Sequence, residues 1–169
     1  DMGGGLGVQY NGEETKTPDE LLTVYAKIFK DRDEEIYIEP GRAIAANAGM
    51  LVTEVEYCKN NFLIVDAAMN DLIRPALYQA KHKVHEVVNN KVSKKTFDIV
   101  GPICETGDYL AKGVELSCKT GDLVAIGTAG AYGFSMSSNY NTRPRSAEIL
   151  VDGDKSVSYT HLTLPTIDR

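Results

Sequence analysis

The 169-residue chain has no tryptophan, only three cysteines and three histidines, and few phenylalanines. Cys58, Cys104 and Cys118 form no C-x-x-C pair. An odd, unpatterned set of this kind argues against a disulfide framework and points to reduced thiols in a cytoplasm. His82 and His85 stand three apart, a spacing that one helical turn could bring together. No third ligand lies near them in the chain, so no metal is expected. No apolar run approaches the roughly 18 residues needed to span a bilayer. The opening Asp1-Met2-Gly3-Gly4-Gly5 has neither a basic nor an apolar leader segment, so a secretory signal is not expected. It also does not begin with Met, which leads one to expect that the true start lies upstream. Lys and Arg number 18 against 24 Asp and Glu, a net charge of −6. That sign disfavours non-specific binding to nucleic acid or anionic lipid. The length is also too short for a complete (β/α)8 barrel, which takes about 250 residues.

What is present reads as two textures. Thr17-Pro18-Asp19-Glu20 is a helix start: Thr17 as N-cap, Pro18 at N1 and Glu20 closing a capping box. Leu21, Leu22, Tyr25, Ile28 and Phe29 then give an apolar face of helical period, ending near Lys30. Ile36-Tyr37-Ile38 reads as a short buried strand that stops at Glu39-Pro40-Gly41-Arg42. Loop, helix, strand and loop make a piece of α/β architecture. After about Ala46 the chain changes to short strands. Residues 50–57 alternate, Phe62-Leu63-Ile64-Val65 is apolar throughout, and Asn60-Asn61 is the turn between them. Further strands are expected at 84–88, 96–100, 123–126 and 147–151. Gly101-Pro102, Thr120-Gly121-Asp122 and Asp152-Gly153-Asp154 supply turns. The pattern predicts an antiparallel barrel or sandwich beyond residue 46.

Several groups could carry chemistry. Gly3, Gly4 and Gly5 could let backbone N–H groups converge on a phosphate, or could form a plain tight turn. Glu39, Gly41 and Arg42 offer a carboxylate, a free N–H and a guanidinium at a strand end. The alternative is a surface ion pair beside a turn. Arg74 and Tyr78 are four apart; on a helix they share a face and suit a carboxylate, or form a solvated surface. Cys104 and Glu105 put a thiol beside a carboxylate, in a reactive loop or an inert polar turn. Tyr132, flanked by Gly130 and Gly133, either offers its hydroxyl to a ligand or sits in a structural hairpin.

Taken together, D-M-G-G-G-L-G, E-P-G-R, M-N-D-L-I-R-P-A-L-Y, G-P-I-C-E-T-G-D, A-G-A-Y-G-F and S-S-N-Y-N-T-R-P-R occur in that order. They resemble diaminopimelate decarboxylases, of the alanine-racemase-like (fold-type III) pyridoxal phosphate enzymes, from Asp1 to about Lys155. Ornithine and arginine decarboxylases share the G-G-G and E-P-G-R elements. The ornithine enzymes differ at Cys104-Glu105-Thr106 and lack R-P-A-L-Y.

The resemblance implies an α/β plus all-β chain. Residues 1–45 would be the last part of a pyridoxal-phosphate-binding TIM barrel, and 46–156 a C-terminal β-domain. It implies that Gly3, Gly4 and Gly5 hold the cofactor phosphate, with Gly5 foremost. Glu39 faces the pyridine nitrogen, Gly41 and Arg42 add phosphate contact, and Tyr132 touches both cofactor and substrate. Arg42, Arg74 and Tyr78 would grip the distal carboxylate of meso-diaminopimelate, and Glu105 would read its distal amino group. Cys104 would be a candidate proton donor. Cys104 and Glu105 would act in a neighbouring subunit, which implies a homodimer with shared sites. The family's Schiff-base lysine lies far upstream of the glycine loop, and no lysine here takes that position. The chain is therefore expected to be a fragment of a lysine-forming decarboxylase and inactive alone. A related decarboxylase for carboxynorspermidine or arginine, or a catalytically dead binding homologue, are the alternatives. Residues 157–169 resemble a translated sequencing adapter rather than the family's last strand, so His161 is not read as functional.

Overall fold

The computed structural model describes residues 1–88 and 93–158. Helix α1 (Pro18–Ile28) begins as its sequence dictates. Thr17 accepts from the Glu20 N–H while the Glu20 carboxylate accepts from the Thr17 N–H at 2.7 Å. None of its residues is buried. The apolar stripe of Leu21, Tyr25 and Phe29 is only half covered. The short helix α2 (Gly41–Ala45) follows the E-P-G-R turn and runs into a 3-10 turn at Ala46–Ala48.

The rest is mostly sheet. Strands β1 (Leu51–Lys59), β2 (Phe62–Val65), β3 (Val84–Glu86), β4 (Lys95–Val100), β5 (Tyr109–Leu116) and β6 (Leu123–Ile126) form one sheet in the order β3-β6-β1-β2-β4-β5. Helix α3 (Arg74–Tyr78) lies in the connection from β2 to β3. The edge strands β3 and β5 approach each other. There the Ser117 N–H donates to Glu86 Oε1 at 2.6 Å, so the sheet curls into a nearly closed barrel. Its interior holds Val55, Leu63, Val65, Leu72, Phe97, Ile99, Leu110, Leu116, Val124 and Ile126. Each such aliphatic side chain contributes about 1.5–3 kcal/mol by leaving water. A smaller apolar cluster of Val8, Ala46 and Ala131, with Tyr10 packed on it, ties the N-terminal segment to one end of this barrel. Strands β7 (Ile149–Asp152) and β8 (Lys155–Ser158) form a separate exposed hairpin.

Two expectations need correction, one strand was missed, and one pairing the spacing allowed does not form. Ile36-Tyr37-Ile38 is not a buried strand: Ile36 and Tyr37 are 42 % and 60 % exposed. An apolar segment is buried only where a neighbour covers it. Here its backbone contacts are the Met2 N–H to Tyr37 C=O bond and the Glu39 N–H to Gly3 C=O bond. The sheet is mixed rather than antiparallel, because β2 and β4 pair in parallel through the long connection between them. Strand β5 was not expected at all. Finally, His82 and His85 do not share a helical turn, since the chain enters β3 between them and His85 points to solvent. Among the described residues no three metal-binding side chains converge, and no helix is long and apolar enough to cross a membrane. The expected tail starts inside β8, where Val157 and Ser158 pair with Leu150 and Ile149. Its remaining residues, His161 among them, lie outside the described ones.

Candidate functional site

A cleft of about 450 Å³ opens where the N-terminal segment meets the barrel end. Gly5, Glu39, Gly41, Arg42, Arg74, Tyr78, Tyr132 and Met136 line it. Seven of these eight were singled out from the sequence, in four segments up to 127 positions apart.

The backbone explains how they converge. A Cβ on Gly4 would stand 2.2 Å from the Glu39 carbonyl oxygen, so only glycine lets the two segments run this close. Gly5 has φ +90° with open space where a Cβ would be, leaving its peptide approachable from the cleft. Arg42 braces the same loop: its Nε donates to Leu6 C=O at 3.3 Å and its Nη2 to Gly5 C=O at 3.4 Å. The Gly41 N–H is not free, as the sequence led us to expect. It donates to the Glu39 carbonyl at 2.9 Å, because the E-P-G turn closes on itself. The Glu39 carboxylate has no partner among the described residues. Tyr132 is held at φ +63°, a left-handed conformation rare for an aromatic residue. Gly130 beside it packs its backbone on Ala45 and Gly49.

Arg74 supplies the strongest electrostatic feature. It is 9 % exposed, and its Nε is buried with no hydrogen-bond partner among the described residues. The rings of Tyr10, Tyr132 and Tyr78 surround its guanidinium at 4.9, 5.4 and 5.6 Å. Among the described residues no carboxylate pairs with it. Aromatic faces offset part of the desolvation cost of a buried cation but leave its charge available. The solvated-face alternative for Arg74 is therefore excluded. Tyr78 keeps an exposed edge at the cleft rim, four residues on along α3.

Cys104 and Glu105 lie elsewhere, in the loop between β4 and β5. Asp108 pins this loop, accepting from the Met69 and Ile103 N–H groups at 2.7 and 2.6 Å. Burial raises the Asp108 carboxyl above its ordinary range. Cys104 is exposed. Glu105 accepts from the Tyr140 hydroxyl at 3.2 Å, which raises the phenol. Neither lines the cleft, and neither do Gly3 or Gly4. Sequence reasoning missed Tyr10 and Met136, and weighed His82 only as a metal ligand. Tyr10 carried a signal, an aromatic five residues past Gly5, but its burial depends largely on contacts far along the chain, Arg74 and His82 among them.

The family model of the pyridoxal-dependent decarboxylase C-terminal sheet domain matches residues 18–130. The chain belongs to this family. It is 56% identical over 160 residues to a diaminopimelate decarboxylase of Pseudomonas fluorescens, covering 92% of this chain and 38% of that protein. Among solved structures, a protein from Aquifex aeolicus superposes with a TM-score of 0.88 at 44% identity, covering 92% of this chain and 40% of that one. A Helicobacter pylori diaminopimelate decarboxylase complexed with L-lysine gives 0.84 at 42% identity, with the same coverage. The chain thus spans about two fifths of the length of the relatives it matches. This pyridoxal-dependent decarboxylase sheet domain carries the cleft at one end of its barrel.

Proposed function

We propose that the chain belongs to an enzyme that decarboxylates meso-diaminopimelate to L-lysine and CO2 with pyridoxal 5'-phosphate. The observation that carries the reading is Arg74, a buried cation with no carboxylate partner among the described residues, which lines the same cleft as Glu39. The names of the relatives, and the L-lysine held by one of them, support it.

The cleft residues fit the cofactor. Gly5 offers an approachable backbone for the phosphate, with Arg42, Gly41 and the neighbouring Gly3 and Gly4 shaping that corner. Glu39 has a carboxylate that would accept from a protonated ring nitrogen, and Tyr132 lines the same cleft. When bound, pyridoxal phosphate supplies the electron sink for loss of CO2. Glu39 would keep a proton on the ring nitrogen, since a carboxylate beside that nitrogen favours its charged form. Arg74 and Tyr78, with Arg42, bind the distal carboxylate. They hold the substrate so that only one of its two amino-acid ends reaches the reacting position. Cys104 of a neighbouring subunit donates the proton that replaces CO2 on the reacting carbon, and Glu105 reads the distal amino group. This makes the protein a cytoplasmic homodimer with shared sites. Residues 1–45 are the end of a TIM barrel in this reading, and 46–156 its β-domain.

A decarboxylase for arginine has no distal carboxylate to satisfy, so a buried unpaired Arg74 favours diaminopimelate. The test is Arg74→Ala in an enzyme that carries this chain, assayed for CO2 release from diaminopimelate and from arginine. Selective loss of diaminopimelate turnover is expected. An unchanged substrate preference would sink the reading.

A further inference from the structure

Tyr10, packed on Arg74, and His82, packed on Tyr10, carry buried polar atoms that the reaction described above does not use. Tyr10 packs its ring on the guanidinium at 4.9 Å and meets His82 edge-on, ring centroids 4.9 Å apart. His82 is 3 % exposed. Tyr10 Oη and His82 Nε2 are, like Arg74 Nε, buried without a hydrogen-bond partner among the described residues. Such orphans are rare in folded proteins and call for a reason. The backbone around them is fixed: Lys83 N–H donates to Tyr10 C=O, and Gly127 N–H to Lys83 C=O, both at 2.9 Å. His82 Nδ1 lies 2.9 Å from the Gly127 carbonyl, so it carries the proton and Nε2 is an acceptor. The nearest acid on this loop, Glu13, spends its carboxylate on the Tyr10 and Asn11 N–H groups at 2.9 and 2.7 Å.

We propose that Tyr10 and His82 are positioning residues for Arg74, an uncharged polar wall that aims the guanidinium at the cleft and sets the preference for a ligand end bearing a carboxylate. A carboxylate in their place would neutralise Arg74 and abolish that preference. An apolar wall would leave the cation in low dielectric with nothing polar behind it. A neutral imidazole and a phenol avoid both. Burial first, and then the Arg74 charge, depress the His82 pKa, in keeping with an uncharged ring.

The inference rests on the reading of Arg74 as a carboxylate site, and the test separates the two. L-Lysine and cadaverine differ only in the carboxylate. Their dissociation constants are measured calorimetrically for an enzyme carrying this chain and for its Tyr10→Phe, His82→Asn and Arg74→Met variants. Tyr10→Phe removes one oxygen and keeps the ring; His82→Asn keeps a donor for Gly127. The wild type should prefer lysine. Each wall variant should lose about 3- to 10-fold of that preference, within the range by which side chains packed against one another couple. In the Arg74→Met background the same substitutions should change nothing further. A wild type that binds both ligands equally overturns the Arg74 reading itself. A normal preference in both wall variants, or an equal loss for both ligands, overturns the positioning role alone.

Discussion

Replacing Arg74 by Met should separate stability from binding, in opposite directions. Burying an unpaired guanidinium costs several kcal/mol even after relaxation. The three tyrosine rings at 4.9–5.6 Å return about 0.5–2 kcal/mol each. The net is near zero or unfavourable, and no hydrogen bond of the side chain to the described residues is lost on substitution. Met fills a similar volume and makes favourable contacts with aromatic edges. Stability in denaturant should therefore be unchanged or higher by up to about 3 kcal/mol, within the range seen when buried charges give way to apolar side chains. Affinity for L-lysine should fall by about 10- to 150-fold, the 1.5–3 kcal/mol of a charge-assisted hydrogen bond. Equilibrium urea unfolding and calorimetric titration on the same protein read the two effects. Destabilisation beyond about 2 kcal/mol would refute the reasoning, because Arg74 would then be holding the fold together rather than waiting for an anion.

Gly130→Ala would put a Cβ 2.1 Å from the Ala45 carbonyl and 2.7 Å from the Gly49 nitrogen. It should strain the Gly130–Ala46 and Ala129–Gly49 backbone bonds, lower stability by about 1–3 kcal/mol, and blunt ligand binding through Tyr132; a thermal melt and a lysine titration check both. Leu110→Ala, in the barrel interior at full burial, should cost about 2–5 kcal/mol of unfolding free energy without changing the lysine-to-cadaverine ratio. His82 has a folded-state pKa below its unfolded value, so the unfolded chain binds the extra proton between the two. Its contribution to stability should be complete above about pH 6.5 and lost as pH falls through the folded-state pKa. Unfolding curves of wild type and His82→Asn across that range should converge at low pH.

Much of the fold follows from local chemistry. The Thr17–Glu20 box, the Asn60-Asn61 turn with Asn60 at φ +56°, and the Asp152 to Lys155 hairpin with Gly153 at φ +59° all sit where their residues place them. Strand β5 was hidden by Gly113. Its φ of +65° marks a bulged strand, and the register against β4 shifts between the Phe97 and Ile99 pairs, so simple alternation fails there. The parallel β2–β4 pair had no local signature, since it depends on where a long connection returns. Ile36 to Ile38 had the composition of a buried strand without the neighbours that would bury it.

For the site, the sequence alone determined the chemistry. It placed a carboxylate, guanidinium groups, phenols and glycines in motifs whose residue types suit a phosphate and a carboxylate. Tertiary structure alone decided which of them share a cleft. Arg42, Arg74, Tyr78 and Tyr132 meet there, whereas Cys104 and Glu105 do not. It also decided that Arg74 is buried with no counter-ion among the described residues, and that Tyr10 packs on both Arg74 and His82. Residue type fixes what a side chain can bond to. Burial and charge balance are properties of everything packed around it, brought together here from positions 5 to 136.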